Sequence, residues 1–455
     1  MDTKKLRQKI LDLAIRGKLV PQDPNDEPAS VLLERIKAEK ERLIKEGKIK
    51  RSKKTAKTSD TPHYENVPFE VPKCWESVPV SELFCLNPKS EITDDTNVGF
   101  IPMACVDDGC SGNHQFEDRI CKEVKKGYCH FRNGDIGIAK ISPCFENLKS
   151  TIFQNLPNNY GAGTTELVIL RPLNIHAKFY LYLFKSQWYI SEGTKYFKGV
   201  VGQQRVHKGI FTDLQVPLPP LAEQYRIVAE IERWFALIDE IEQGKADLQR
   251  TIKQTKSKIL DLAVHGKLVP QDPDDEPAIE LLKRINPSFT PCDNAHYTQL
   301  PKGWSVAPMQ ILCSLIDGNK QNDIERINLD VKFLRGEREP KTLTSGKFIP
   351  ANSLLILVDG ENSGEVFKTP VEGYQGSTFK RLIINENMNT EYLLQVIKFY
   401  KKLLRENKVG SAIPHLNKKL FKEIKVSIPP YKEQRRIVDT INKTFMSLDM
   451  IMDSL

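Results

Sequence analysis

Residue patterns that could carry catalysis are incomplete in this sequence. An enzyme that methylates an amino group needs Asn or Asp directly before Pro-Pro and an aromatic residue, because that side chain accepts hydrogen bonds from the amine. The nearest match is Ile428-Pro429-Pro430-Tyr431, and the isoleucine side chain cannot accept a hydrogen bond. A convincing glycine-rich loop for S-adenosylmethionine is also missing.

The sequence offers no complete loop for ATP either. Such a loop, G-x4-GK-[ST], cradles the phosphates with backbone N–H groups. The Gly-Lys pairs that begin at Gly17, Gly244, Gly266 and Gly346 are each followed by a residue other than Ser or Thr. We therefore predict no catalytic residues and no cofactor for this chain on its own.

Clustered cysteines are potential metal ligands, and seven of the nine cysteines lie between positions 74 and 144. None of them forms a CxxC pair, and their spacings match no common zinc pattern. The conceivable zinc ligands are Cys105, Cys110, Cys121, Cys129 and His130. Reduced thiols and no metal are the expectation. The acidic groups at Asp107, Asp108, Asp359 and Glu361 are interpreted as turn residues.

Composition is that of a globular protein and is compatible with a polyanionic partner. Lys and Arg outnumber Asp and Glu by 67 to 59, which gives a net charge of +8 and argues against an acidic DNA mimic. The 455 residues allow two to three domains. No apolar run approaches the roughly 18 residues that span a membrane, and the start lacks a signal-peptide core, so a cytoplasmic location is expected.

The elements of this chain are organised around an internal repeat. The segment 9–36 returns at 258–285, and 22 of the 28 positions are identical. A second block, VPLPPLAEQYRIV at 216–228, returns as VSIPPYKEQRRIV at 426–438. Two copies of each block indicate two equivalent halves rather than a solenoid.

Helix-forming patterns begin at each Glu-Gln of the second block. From Leu221 to Leu262 the apolar residues follow a strict 4-3 spacing, which is typical of a coiled-coil seam about 60 Å long, with a kink possible at Gly244. Trp234 is expected to lie in the core of this seam. The predicted seam residues of the long helix are Ile227, Ile231, Trp234, Ile238, Ile241, Leu248, Ile252, Ile259 and Leu262. The C-terminal helix adds Ile437, Ile441, Leu448 and Ile451, and the N-terminal helix adds Leu6, Ile10 and Leu13.

The two terminal helices together have nearly the length of the central one. We therefore predict an α+β fold with two mixed α/β domains separated by a long antiparallel coiled coil, in a pseudo-two-fold circular arrangement with the N- and C-terminal helices adjacent. The expected segments are an N-terminal repeat region with a basic linker (1–60), a first domain (61–216), a central repeat region with the long helix (217–290), a second domain (291–428) and a C-terminal helix (429–455).

Local patterns specify several elements in more detail. Helices are predicted at 1–16 with Gly17 as C-cap, at 29–45, at 177–189 and at 390–406. Strand-like runs include VGFIPM, GDIGIAKI, ELVILRPL, VKFLRG, NSLLILVDG and STFKRLII. Trp75 and Trp304, at matched domain starts, are expected to be core anchors. The aromatic residues of the helix at 177–189 should line a packed face; they are Phe179, Tyr180, Tyr182 and Phe184.

Taken together, these blocks resemble the specificity subunit of a type I restriction-modification system. The resemblance rests on PLPPLAEQ and SIPPYKEQ, on the two KILDLA-x-x-GKLVPQ repeats and on the Trp-initiated domains, and it covers nearly the whole chain. It implies two target recognition domains, each reading one half of a bipartite double-stranded DNA target. It also implies that the helices set the spacer and dock two methyltransferase (M) subunits, and that restriction/translocase (R) subunits join the assembly. One departure is the basic insertion after Ile36, which has no counterpart after Ile285.

Polar loop residues are the candidates for DNA contact, because base edges are read by side-chain donors and acceptors while Lys and Arg hold phosphates. In the first domain the candidates are Lys140, Ser142, Asn147, Lys149, Lys198, Gln203, Gln204, Arg205, His207 and Lys208. In the second domain they are Asn362, Ser363, Ser411, His415, Asn417, Lys418 and Lys419. The basic run at 45–58 is either a solvated linker or a further contact with the DNA backbone.

Two other functions stay open at this point. The chain could be a methyltransferase or nuclease with an unfamiliar site, which methyl transfer by the purified chain alone would reveal. It could also be a coiled-coil scaffold whose domains bind protein, which an absence of DNA sequence preference would favour. The DNA target itself cannot be read from one sequence, because loop geometry, DNA deformation and water all contribute.

Overall fold

A computed structural model describes residues 2–49, 67–89, 92–200, 203–291, 299–408 and 415–455. The chain divides into two compact units, Met1–Gly244 (unit 1) and Lys245–Leu455 (unit 2). The boundary falls inside the longest helix, α7 (Leu221–Val264), which runs through Gly244 without interruption. Within the described ranges, no helix is long and apolar enough to cross a membrane. From position 50 onward, the basic run at 45–58 lies outside the described residues.

Unit 1 combines helices with short strands. Its helices, apart from its share of α7, are α1 (Thr3–Ile15), α2 (Ala29–Lys45), α3 (Val80–Leu83), α4 (Cys121–Val124), α5 (Ala177–Phe184) and α6 (Gln187–Thr194). Its strands are β1 (Glu76–Pro79), β2 (Phe84–Leu86), β3 (Asn97–Ile101), β4 (Glu117–Ile120), β5 (Cys129–Arg132), β6 (Ile136–Ala139), β7 (Ser150–Ile152), β8 (Tyr160–Gly163), β9 (Leu167–Pro172) and β10 (Gln215–Leu218).

Unit 2 repeats this plan. Its further helices are α8 (Ala278–Ile285), α9 (Met309–Leu312), α10 (Val331–Leu334), α11 (Thr390–Glu406), α12 (Lys418–Glu423) and α13 (Tyr431–Ser454). Its strands are β11 (Ser305–Pro308), β12 (Cys313–Ile316), β13 (Asn319–Gln321), β14 (Arg326–Leu329), β15 (Thr342–Leu343), β16 (Gly346–Ile349), β17 (Leu354–Leu357), β18 (Val366–Lys368), β19 (Gly373–Gln375), β20 (Phe379–Ile384) and β21 (Lys425–Ile428).

Each unit contains two sheets and a separate two-stranded ribbon. In unit 1 the strand orders are β2-β9-β6-β7 and β4-β3-β8-β5, and in unit 2 they are β12-β20-β17-β18 and β13-β16-β19-β14-β15. The second sheet of each unit is mixed, because β3–β8 and β14–β19 are parallel pairs. The predicted combination of mixed helix-and-sheet domains with a long helix is therefore confirmed.

In each unit, the first and last strands of the globular domain pair with each other and form the ribbon. In unit 1, β1 pairs antiparallel with β10, with Val78 opposite Val216. In unit 2, β11 pairs with β21 in the same way, with Val306 opposite Ser427. Because these strands lie just after the Trp of each domain and just before each Pro-Pro, both domains join their helices through the same two-stranded neck.

Three of the four predicted helices match the structure closely, and one is split. α1, α2 and α11 agree with the predicted segments, and Gly17 ends α1 with a positive φ of 65°. The prediction of one continuous helix at 177–189 is wrong, because this segment forms two helices, α5 and α6, with a break at Lys185 and Ser186. The Ser186 side chain accepts from the backbone N–H of Tyr189 and so starts a new helix.

The strand-like reading of VKFLRG is also wrong. The segment forms the short helix α10, because the Asp330 side chain accepts hydrogen bonds from the N–H groups of Lys332 and Phe333. The other quoted strand runs coincide with β3, β6, β9, β17 and β20. As predicted, the aromatic face of α5 is packed, since Phe179, Tyr180, Tyr182 and Phe184 are all buried.

The seam predicted on the long helices is only partly buried. Ile227, Ile231, Ile238, Ile252 and Ile259 are buried in α7, as are Ile437 and Ile441 in α13 and Ile10 in α1. Leu6, Leu13, Leu262 and Leu448 are half-buried. The burial prediction is wrong for four exposed residues, which are Trp234, Ile241, Leu248 and Ile451.

Phe235 takes the place expected for Trp234. Its ring meets Tyr182 edge-on at 5.7 Å and lies under the guanidinium of Arg7. The buried positions of α7 therefore advance by four residues from 227 to 231 to 235, which turns Trp234 outward, where it is 38% exposed under the Arg233 guanidinium. The seven-residue repeat itself persists, since Ile231, Ile238, Ile252 and Ile259 are all buried. The exposed seam residues Trp234, Ile241 and Leu248 occupy the other position of each heptad.

Candidate nucleic-acid interface

A buried carboxylate fixes the neck of the first domain to α7. Glu223 is fully buried, and its two oxygens accept hydrogen bonds from Trp75 Nε1 at 2.9 Å and from Gln22 Nε2 at 3.0 Å. The same Gln22 nitrogen lies 2.8 Å from the carbonyl oxygen of Gly17. Burial raises the pKa of Glu223, while its two donors act in the opposite direction.

The same arrangement occurs in unit 2 with equivalent residues. Glu433 accepts from Trp304 Nε1 at 3.0 Å and from Gln271 Nε2 at 3.2 Å, and Gln271 also donates to the carbonyl of Gly266 at 2.8 Å. Burial likewise raises the pKa of Glu433. We call each of these clusters, with its Glu, Trp and Gln, a mount.

Each mount is extended by the next residues of the helix. Gln224 donates to the Pro219 carbonyl at 2.9 Å and accepts from the backbone N–H of His176 at 2.9 Å. Gln434 does the same with Pro429 at 3.0 Å and Asn389 at 3.1 Å. Because His176 and Asn389 precede α5 and α11, each glutamine links the proline block to the start of a domain helix.

An ion pair completes each mount. Arg226 pairs with Asp26 at 2.6 Å, and Arg436 pairs with Asp275 at 2.7 Å. Sequence reasoning identified the repeated blocks but assigned no role to these polar residues. The available signal was their identity at equivalent positions of both blocks: buried polar groups need partners, so polar residues repeated in two copies indicate a shared hydrogen-bond network.

The polar loops predicted in the first domain lie next to each other. The backbone N–H of Val206 donates to the carbonyl of Lys140 at 2.9 Å, and that of Ser142 donates to the carbonyl of Gln204 at 2.9 Å. These bonds form a small antiparallel bridge that pairs Ile141 with Arg205. The stretches 140–149, 198–200 and 203–208 therefore form one surface, which we call loop surface 1.

The second domain has a corresponding loop surface 2. The backbone N–H of Leu416 donates to the carbonyl of Val358 at 2.7 Å, and Asp359 and His415 form an isolated bridge. This brings the stretch 359–363 beside 415–419. Loop surfaces 1 and 2 occupy equivalent places in the two units but carry different side chains.

A charged pair lies at the centre of loop surface 1. Arg205 binds Glu166 side-on, with Nε 3.0 Å from Oε2 and Nη2 2.7 Å from Oε1. The side chain of Arg205 is 51% exposed and that of Glu166 is 25% exposed. Hydrogen bonding to Arg205 lowers the pKa of Glu166, so the carboxylate is charged at neutral pH. On loop surface 2, His415 Nδ1 lies 2.6 Å from Asp359 Oδ1.

Comparison with known proteins identifies the family. The family model described as the type I restriction modification DNA specificity domain matches residues 72–250 and 317–450. The chain belongs to this family. It is 38% identical over 419 residues to the type I restriction enzyme EcoAI specificity subunit of Escherichia coli, an alignment that covers 79% of this chain and 70% of that protein.

Further relatives agree with this assignment. The EcoEI specificity subunit of Escherichia coli is 43% identical over 326 residues, with 62% of this chain and 54% of that protein covered. A solved chain from a type I restriction-modification system has a TM-score of 0.62 at 17% identity and covers 85% of this chain and 94% of its own length. The HsdS subunit from Thermoanaerobacter tengcongensis has a TM-score of 0.52 at 18% identity, with 85% and 93% covered. The two solved structures support the fold.

Several side chains proposed for DNA contact have structural partners instead. The Lys149 ammonium donates to the carbonyls of Val106 at 2.7 Å and Met103 at 3.3 Å, so it ties two loops together. Ser363 is fully buried, which contradicts its prediction as a DNA contact. Asn362 lies half-buried in the same turn.

Two predicted residues begin helical turns at equivalent positions. His207 accepts from the backbone N–H of Gly209 at 3.1 Å, and Asn417 accepts from that of Leu420 at 3.0 Å. Both side chains therefore act as helix caps, a use that competes with DNA contact. Ser142 donates to Glu146 at 2.8 Å.

The remaining candidates lie where DNA could reach them. Exposed side chains are those of Asn147, Lys198, Gln203, Arg205, Lys208, His415, Lys418 and Lys419, whereas Lys140 and Gln204 are half-buried. Ser411 lies outside the described residues. DNA contact by these residues stays a prediction.

The cysteines between positions 74 and 144 are free thiols in the structure. Cys129 Sγ contacts the carbonyl oxygens of Thr164 at 3.1 Å and Gly163 at 3.4 Å, and burial raises its pKa to about 12. Over the ranges that the structure covers, no three His, Cys, Asp or Glu side chains are grouped so that they could hold a metal ion.

Proposed function

We propose that this chain is the non-catalytic DNA-recognition subunit of a type I restriction-modification complex. Each globular domain reads one half of a bipartite DNA target through its own loop surface. The complex also contains two methyltransferase subunits, which supply the modification chemistry, and restriction subunits. The proposal implies that the chain works in the compartment that holds the DNA, the cytoplasm expected from the sequence.

One observation carries this proposal. Two loop surfaces with different side chains are presented on mounts with the same residues, Glu, Trp and Gln, at equivalent positions. Mounts with the same residues hold the repeated segments in the same local geometry in each unit, and this suits the docking of two copies of one partner. Different loops suit two different ligand sequences, because base edges are distinguished by the donors and acceptors that face them.

The chemistry of the exposed loop residues fits DNA better than a protein partner. Loop surface 1 offers Lys198, Gln203 and Lys208, and loop surface 2 offers Lys418 and Lys419. Val200 is an exposed apolar side chain of loop surface 1. The cationic and amide side chains of both surfaces match phosphates and base edges. Protein interfaces, in contrast, are built around a desolvated apolar or aromatic core.

The test uses the full chain purified together with its methyltransferase subunits. We expect selection from random oligonucleotides to yield a split sequence, with affinity that falls steeply as salt concentration rises. The chain alone, incubated with DNA and labelled S-adenosylmethionine, should transfer no methyl groups. Transfer by the chain alone would show that it is an enzyme, and an absence of sequence preference in the complex would favour a scaffold.

A further inference from the structure

The ion pair between Arg205 and Glu166 leaves one edge of the guanidinium group unused. Glu166 binds Nε and Nη2, which is the side-on arrangement. A guanidinium group carries five N–H donors, so Nη1 and the second hydrogen of Nη2 remain as a parallel fork at the end of the group. Among the described residues, no group accepts a hydrogen bond from Nη1.

The backbone that carries Arg205 is held on both sides. Arg205 N–H donates to the carbonyl of Lys198 at 2.8 Å, and Lys198 N–H donates to the carbonyl of Arg205 at 3.0 Å. Ile141 lies opposite Arg205 on the other side, in the bridge that joins the two loops. With its backbone and one edge of its head group fixed, the side chain is organised before any ligand arrives, which favours specific readout.

The carboxylate of Glu166 argues against a simple phosphate contact. A negative charge beside Arg205 lowers the positive potential at this point and repels phosphate. The same carboxylate orients the free fork, whose two parallel donors match the N7 and O6 acceptors of guanine in the major groove. An oriented fork gains more from a base edge than from a phosphate, because only the base edge requires that geometry.

The equivalent position in unit 2 is built on the same principle. His415 corresponds to Arg205 under the 210-residue shift that relates 216–228 to 426–438, and its ring nitrogen is held by the carboxylate of Asp359. Each loop surface therefore presents an exposed side chain with nitrogen hydrogen-bonding groups, and an acidic residue holds that side chain in place. Since the side chains differ, the position is suited to give the two domains different preferences.

We infer that Arg205 reads a G·C base pair in the half-site bound by unit 1, through O6 and N7 of guanine, and that Glu166 is the positioning residue for this contact. The inference rests on the proposed function and names the base that this part of loop surface 1 recognises.

The experiment is an oligonucleotide selection with the complete complex, comparing wild type with Arg205→Lys, Glu166→Gln and His415→Gln. Lys keeps the charge but cannot form the fork, so Arg205→Lys should lower the preference for guanine at one position by about 10- to 100-fold. Glu166→Gln should reduce the preference at that same position by a smaller factor. His415→Gln is the matched control and should change only the other half-site. Removing an exposed ion pair affects stability little, so each variant should fold.

Two results separate the failure of this inference from that of the proposed function. Suppose that wild type selects a split sequence. The inference is then overturned, and the proposed function stands, if Arg205→Lys retains the guanine preference. The same holds if Arg205→Lys weakens binding to all sequences by the same factor. If wild type selects no split sequence, the proposed function itself fails.

Discussion

At the scale of single residues, the lysines proposed for DNA contact divide into two kinds. Lys149 donates to two backbone carbonyls inside unit 1, whereas Lys208 is exposed. The two look alike in the sequence, because both follow strand or loop segments of similar composition. Only the three-dimensional position of the Met103–Val106 segment decides which ammonium group is free for DNA.

The two lysines should therefore respond differently to the same substitution. We expect Lys149→Met to lower the free energy of unfolding by about 1–3 kcal/mol, because two carbonyls lose their donor. Lys208→Met should change stability by less than about 0.5 kcal/mol and weaken DNA binding equally for all sequences, with a salt slope lower by about one. Denaturant unfolding and binding at several salt concentrations measure both effects. Unchanged stability in Lys149→Met would contradict its structural role.

Lys185 gives unit 1 a specific pH dependence. The ammonium is buried and donates to the carbonyls of Gly109 and Leu148, each at 2.7 Å. Burial lowers its pKa from 10.5 to about 8. Between these two values the unfolded chain retains a proton that the folded chain has released, so the stability contribution of Lys185 rises with pH over this window.

This effect can be isolated by comparison with Lys185→Met. The free energy of unfolding of wild type should rise relative to that of the variant by up to about 3 kcal/mol between pH 8 and pH 10.5. Denaturant unfolding at a series of pH values measures it, with Lys208→Met as a variant at an exposed lysine for comparison. A difference that stays constant with pH would contradict the lowered pKa of Lys185 in the folded chain.

At the scale of elements, the 4-3 apolar spacing predicted the existence and length of α7 but not its buried face around Trp234. The buried face there includes Phe235 rather than Trp234, because α7 packs against α5 through Tyr182. The spacing alone cannot show this, since both residues are aromatic. The break between α5 and α6 contains no Pro or Gly, and its signal is the helix-capping Ser186, which the prediction did not use. The cap at Asp330 was a readable signal that was missed.

The corrected face of α7 predicts unequal costs for neighbouring apolar residues. Ile231 is fully buried, so Ile231→Ala should lower the free energy of unfolding by about 2–5 kcal/mol. Trp234→Ala, at an exposed position one turn away, should cost less than about 1 kcal/mol. Denaturant unfolding of both variants under one condition provides the comparison. Equal losses of stability in the two variants would support the predicted seam, in which Trp234 is buried, and would contradict the buried face of α7 described above.

At the scale of the whole molecule, the repeated blocks predicted the two-domain plan, and the family assignment confirms it. The repeats also indicate where each domain ends, and the predicted polar loops at 198–208 and 407–419 come just before these ends in the sequence. It could not separate Arg205, which points outward, from Ser363, which is buried, since burial depends on contacts between distant segments. The adjacency of the two terminal helices stays a prediction.

The central claim is that two independent domains each read half of one DNA target. Sequencing the methylated DNA of the host tests it most directly, with the chain intact and with residues 292–428 replaced by the corresponding domain of another family member. We predict that one half-site changes while the other half-site and the spacer stay the same. A change in both half-sites, or in neither, would contradict the account.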